Sequence, residues 1–172
     1  MVFSSVVFLC VFLPVFLVIY YAVPLKLKNY ILLLFSLIFY AWGAPNFIFI
    51  LLASLFLNYY VTSWMNKANS VKKRKIWLIV SLCINLGLLV YFKYFNFFID
   101  NINLLFSIVN FDTVSWEKIL LPIGISFFTF QSITYTVDVY KKVSPPLQKF
   151  SDYTLYILMF PQLIAGPIVR FN

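Results

Sequence analysis

The stretch "LPIGISFFTFQSITYTVDVY" (121–140) is aromatic and aliphatic enough to enter a bilayer, yet it carries Gln131, Ser132, Thr134, Tyr135, Thr136 and Asp138 within eight residues. On a helix, Gln131, Tyr135 and Asp138 are spaced i, i+4, i+7 and share one face. Thr134 and Asp138 are a further i, i+4 pair, and Ser132 and Thr136 form an adjacent polar column. Two uses fit this pattern. Hydroxyls and amides can bond back to their own helix or across to a neighbour, which glues helices together for about 1 kcal/mol per contact. The same face can instead line a polar cavity. Glue explains Asp138 less well, although Lys141 and Lys142 beside it offer water or a counter-ion. Pro122 and Gly124 loosen the entry to the segment, which is tolerated in a membrane only against protein or water. The reactive repertoire is small. A carboxylate is a weak base for an alcohol, no nucleophile–base–orienter set accompanies Asp138, and the chain has no histidine. No residue present is assigned a catalytic role, and none is assigned to a metal.

The elements that must hold these residues follow from composition. Of the 172 residues, 63% are hydrophobic and only 10% charged, with a mean hydropathy of +0.96. A soluble domain is roughly a quarter charged, and a chain this short cannot hide so much apolar surface in its own core. Lipid must cover the excess, so the fold is all-α, a polytopic integral membrane helix bundle. The net charge of +8 does not point to nucleic acid, because the lysines stand between apolar runs rather than on one face. Cys10 and Cys83 lie inside apolar runs without metal or disulfide spacing and read as small lipid- or core-facing side chains.

Apolar runs long enough to cross, about 20 residues, place spans at 2–23, 25–44, 47–65, 76–94, 119–139 and 153–169, five or six in all, in one unit covering 1–172. The first lacks the basic start and the cleavage site of a signal peptide. The second reaches bilayer thickness only if Lys26 and Lys28 snorkel. "GAPN" (43–46) breaks it, since Pro45 disfavours helix at Ala44. Between 96 and 117 the pattern weakens and suits an interfacial segment better than a crossing. The sixth run is interrupted by Pro161, Gly166 and Pro167. With the N-terminus outside, the inner loops hold ten of the thirteen cationic side chains: Lys26, Lys28, Lys67, Lys72, Lys73, Arg74, Lys75, Lys141, Lys142 and Lys149. Positive-inside bias therefore puts Met1 outside. Tyrosines and tryptophans near the span ends, Trp64 and Trp77 among them, match an interfacial belt.

Two motifs in order, the polar stretch at 121–140 and "FPQLIAGPIVR" (160–170), closely resemble the membrane-bound O-acyltransferase family, in the branch that O-acetylates alginate and peptidoglycan. "VFSSVVFLCVFLPVFLVIYY" and "LLLFSLIFYAWGAP" look like the same branch, so the resemblance covers essentially the whole chain. The related D-alanine transfer proteins of teichoic-acid synthesis tend to carry Arg where Gln131 stands and a "SSGP"-like turn where "IAGP" (164–167) stands. Gln131 and Ala165 favour the acetylating branch.

The resemblance implies a many-helix fold pierced by a polar passage. In it an acetyl group leaves a cytoplasmic thioester donor, acetyl-CoA or another, with no cofactor bound. The acetyl group ends on an extracytoplasmic polysaccharide or a partner acetyltransferase outside the bacterial inner membrane. It also implies a catalytic histidine in later helices, downstream of Asn172, so these 172 residues are expected to be the N-terminal part of a longer, active protein, the alternative being a naturally truncated member that cannot catalyse. By themselves they would be inactive. Gln131, Ser132, Tyr135, Asp138 and Gln162 would line or brace the passage, with Pro161, Gly166 and Pro167 forming a structural turn that is either a kink or a functional wall. Arg170 would anchor at the interface or meet a donor phosphate. A non-catalytic scaffold or a transport component of a surface-polysaccharide system are the competing readings. No inverted repeat of the transporter kind is evident.

Overall fold

The computed structural model describes residues 5–108, 115–122 and 124–165. Among them every regular element is helical. A π-helical turn, Phe8–Phe12, leads into α1, Leu13–Ala22. The widening has a local cause. Pro14 has no N–H to give Cys10, and its ring would crowd that carbonyl. The adjacent Leu13 N–H accordingly bonds Phe8 O, five residues back. α2 (Leu25–Gly43), α3 (Ile48–Lys67) and α4 (Val71–Ile108) follow, with a short 3-10 turn, Pro45–Phe47, between the first two. Then come α5 (Ile125–Tyr140), α6 (Phe150–Leu158) and the short α7 (Phe160–Ala165). Three stretches are long and apolar enough to cross a bilayer: Leu25–Gly43, Pro45–Lys67 and Val71–Ile108. A shorter apolar helix spans Phe8–Ala22.

α4 departs most from the sequence expectation. The weakened pattern after Tyr94 does not end the helix, which continues to Ile108 and is 38 residues long. Nothing between Leu88 and Ile108 is glycine or proline. The polar residues there are absorbed locally, Asn101 donating to Phe97 O and Ser107 to Leu104 O. Asn96, expected to open an interfacial segment, instead grips the chain before α5. Its Nδ2 donates to Ile119 O at 2.8 Å and its Oδ1 accepts from Ile119 N at 3.1 Å. Residues 115–122 are non-helical. The fifth helix starts at Ile125, after Gly124 takes a left-handed φ of 77° that suits glycine.

The sixth run is two helices rather than one. A continuous helix would aim Pro161 at the carbonyl of Ile157, with no N–H to offer. The break falls two residues earlier, at Met159, whose ψ of 114° turns the chain. The Phe160 N–H freed by the break is taken by Ser36 Oγ of α2 at 3.3 Å, while Ser36 itself donates to Leu32 O. The Phe160 ring then packs among Phe8, Phe12, Phe16 and Phe39, with centroids 5.3–6.1 Å apart. Gly166, Pro167, Arg170 and Asn172, and with them the end of the sixth run, lie outside the described residues.

α3, α4 and α5 are joined by a buried polar seam. Asn58 and Asn85 exchange amide bonds at 3.2 and 2.6 Å. Ser81 Oγ donates to Asn58 Oδ1 and stands 3.3 Å from Thr136 Oγ1. Thr62 Oγ1 lies 3.2 Å from the same Thr136 hydroxyl. Each amide also bonds its own helix, Asn58 to Ser54 O and Asn85 to Ser81 O.

Two ends can be told apart. Arg74, at the start of α4, donates through Nη2 to the last carbonyls of α5, Val139 O and Tyr140 O, and stacks over the Tyr140 ring. The basic turn between α3 and α4 therefore shares an end with the basic segment after α5. At the opposite end, residues 43–47 and 120–122 border one cleft of about 320 Å³.

Ser36→Ala should leave the Phe160 N–H unpaired in the protein interior and cost about 1–3 kcal/mol. Thermal unfolding in detergent checks this, and an unchanged midpoint would refute the role given to Ser36. Asn85→Ala should cost about 1–2 kcal/mol. Combining it with Asn58→Ala should add less than the two single losses together, because both changes break the same bonds.

Candidate functional site

α5 is polar on two sides because it has neighbours on two sides. Of the column expected beside the main stripe, Thr136 faces the α3–α4 seam, where it donates to Ser132 O and meets Thr62 and Ser81, whereas the Ser132 hydroxyl is met from α6. The stripe of Gln131, Tyr135 and Asp138 faces α6. Gln131 Nε2 donates to Tyr156 O at 2.8 Å, a carbonyl near the end of α6, and to Gln162 Oε1 at 3.4 Å. Gln131 and Gln162, singled out separately in the sequence, are thus brought together across the break at Met159.

Tyr135 sends its hydroxyl to the loop after α5, where it accepts from Leu147 N at 2.8 Å. Its ring lies 5.0 Å from that of Tyr153, and Tyr153 OH reaches Ser132 Oγ at 3.3 Å. Tyr59 of α3 ties the same loop by donating to Gln148 O at 2.6 Å. Thr134 points elsewhere and donates back to Phe130 O.

Asp138 is the residue that glue does not account for. It is 6% exposed, and among the described residues nothing bonds its Oδ2. Lys141 and Lys142, expected to offer it a counter-ion, are exposed. They serve the chain reversal instead. Lys142 holds a left-handed φ of 59°, Lys142 N–H bonds Val139 O, and Val143 N–H bonds Asp138 O. This closes α5 with a Schellman-type cap, so the backbone of Asp138 is fixed while its carboxylate keeps an oxygen unmatched. Two further buried oxygens lack partners among the described residues: Thr129 Oγ1 on α5 and Tyr40 OH on α2. At membrane depth such atoms need a partner that lipid does not supply.

Sequence reasoning missed Asn58, Thr62 and Ser81. The signal was present. Asn58 and Thr62, like Ser81 and Asn85, are i, i+4 pairs of small polar residues within apolar runs, which implies a shared face turned to protein. Arg74 counted only as a topological charge, and its role as a cap needed three dimensions. Ser132, Tyr135 and Gln162 each meet a neighbouring element through a hydrogen bond. Pro161 opens α7 rather than marking the break itself. The histidine expected downstream of Asn172 has no counterpart within the 172 residues.

No family model and no solved structure matches the chain. Curated relatives do. The chain is 40% identical over 173 residues to proteins named probable alginate O-acetylase from Pseudomonas syringae and Pseudomonas aeruginosa, covering all of this chain and 33% of each of them. It is 34% identical over 199 residues to a peptidoglycan O-acetyltransferase of Helicobacter pylori, covering 99% of this chain and 37% of that protein. The chain thus spans about a third of the length of the curated relatives it matches. It is homologous over its whole length to part of the alginate and peptidoglycan O-acetylation proteins, the branch of the membrane-bound O-acyltransferase family that its motifs resemble.

Proposed function

We propose that this chain belongs to the membrane subunit of a polysaccharide O-acetylation system. The observation that carries the proposal is its relatedness, over 99–100% of its length, to proteins named for alginate and peptidoglycan O-acetylation. In this reading an acetyl group passes from a cytoplasmic thioester, acetyl-CoA or a similar donor, to a hydroxyl of an extracytoplasmic polysaccharide or of a partner acetyltransferase. The donor cannot cross the bilayer and the acceptor lies outside, so the two must meet in a polar passage within the membrane.

The acceptor oxygen attacks the thioester carbonyl, the C–S bond breaks, and the hydroxyl proton needs a base. Histidine suits that task at neutral pH. These 172 residues contain none, and we assign the base to a part of the protein downstream of Asn172.

The residues present have supporting roles. Gln131 and Gln162 hold the α6–α7 break against α5. Ser132 and Tyr135 fix α5 against Tyr153 and the following loop. Asp138 offers an unmatched carboxylate oxygen to water or to a passing polar group.

The proposed topology has five or six crossings in the bacterial inner membrane, with the N-terminus outside. It is supported by the ten cationic residues that this places inside and by the bond from Arg74 to Tyr140 O that draws two basic segments to one end. In the whole protein, Gln131→Ala and Asp138→Ala should each lower acetyl transfer about tenfold, the equivalent of about 1.4 kcal/mol. The readout is ester-linked acetate on the surface glycan, normalised to the amount of membrane-inserted protein. Normal acetylation in both variants would remove these residues from the passage.

A further inference from the structure

Where α3 ends and α4 begins, Trp64 and Trp77 stand with ring centroids 5.2 Å apart and planes inclined at 50°. With Lys67, Ala68 and Lys73 they border an open cleft of about 410 Å³. Trp77 is partly buried and packs on the main core, so one wall is fixed. Trp64 is half exposed, and Lys67 and Lys73 are exposed at the rim. Ala68 is small and leaves the cleft open between them. No carboxylate lies near this corner along the sequence. The first acidic residue in the sequence is Asp100, whereas Lys67, Lys72, Lys73, Arg74 and Lys75 fall within nine positions. Arg74 is the one already engaged, on the α5 carbonyls. Lys67 and Lys73 carry no such assignment.

We propose that this cleft binds an anionic phospholipid of the surrounding leaflet, with the headgroup phosphate between Lys67 and Lys73 and the glycerol and upper acyl region against the two indoles. Charge decides the headgroup, because a zwitterionic lipid gains little from two uncompensated ammonium groups. Indole decides between a lipid and a free anion. Inorganic phosphate gains nothing from two aromatic walls, whereas indole rings favour the boundary between headgroup and hydrocarbon. Position agrees, since Lys67 is the last residue of α3 and the cleft opens outward at a helix end. Each lysine near an anionic surface contributes about 1 kcal/mol, or roughly fivefold in preference. The inference is independent of the acetylation reading.

The test uses the whole protein in phosphatidylcholine nanodiscs. Every tryptophan other than Trp64 and Trp77, Trp42 and Trp116 among them, is replaced by Phe so that emission comes from the cleft. A minor fraction of brominated phosphatidylglycerol should quench this emission several-fold more effectively than the same fraction of brominated phosphatidylcholine. Lys67→Gln with Lys73→Gln should erase the difference, whereas Lys26→Gln with Lys28→Gln should leave it. Salt should weaken the preference as the screening length falls from about 8 Å at 0.15 M to about 3 Å at 1 M. Equal quenching by the two brominated lipids overturns the proposal, and so does a preference that survives the loss of Lys67 and Lys73. Displacement of the lipid by millimolar inorganic phosphate at constant ionic strength overturns it too, since the site would then read a free anion. Should the lysine variant fail to reconstitute, the comparison of the two brominated lipids on the Trp64/Trp77 protein still decides.

Discussion

The hydroxyl of Thr136 sits where three helices meet, and the constraint it embodies governs the bundle. A polar atom at membrane depth must find its partner within the protein, because hydrocarbon supplies none. Thr136 Oγ1 donates to Ser132 O and approaches both Thr62 and Ser81. One atom thereby registers α5 against α3 and α4. The Asn58–Asn85 exchange next to it fixes the rotation of α3 against α4 more firmly than leucine packing would, since a slip would leave two primary amides unmatched. The other side of α5 is then free to meet α6. There Gln131 spends one amide hydrogen on a carbonyl near the end of α6 and directs the amide nitrogen towards Gln162. Breaks follow the same logic. The chain turns at Met159, and the exposed Phe160 N–H is met by Ser36, a hydroxyl on a distant helix.

Much of this was legible in the sequence, for identifiable reasons. α2 and α3 begin and end close to the expected positions because the Gly43–Pro45 punctuation and the basic stretch at 66–75 are strong local signals. The i, i+4, i+7 stripe on α5 was readable because helical periodicity places those residues on one face whatever surrounds them. What failed was the reading of polar residues as boundaries. Asn96 reads as the end of a span. In the fold it lies inside α4 and uses its amide as a two-pronged partner for the backbone of Ile119. An asparagine that breaks a helix and one that holds a distant stretch of chain look alike in one dimension, since the difference lies wholly in what stands opposite. The same is true of Pro161, which marks the neighbourhood of a break but not its position.

The satisfied majority gives the exceptions their meaning. Along α5 the amide of Gln131 and the hydroxyls of Ser132, Thr134, Tyr135 and Thr136 all have protein partners. Were the helix merely glued into place, Asp138 would be its worst-chosen member. A carboxylate is costlier to bury than a hydroxyl or an amide, and among the described residues this one keeps Oδ2 unmatched while its backbone is locked in the α5 cap. Buried unmatched oxygens also occur at Thr129 and Tyr40, on the helices that flank the same core. A bundle that finds partners for the other polar side chains of this stripe and its neighbouring column does not lack the means to do so for one more. Among the described residues, Oδ2 of Asp138 is thus the polar atom of the stripe that these helices leave unmatched.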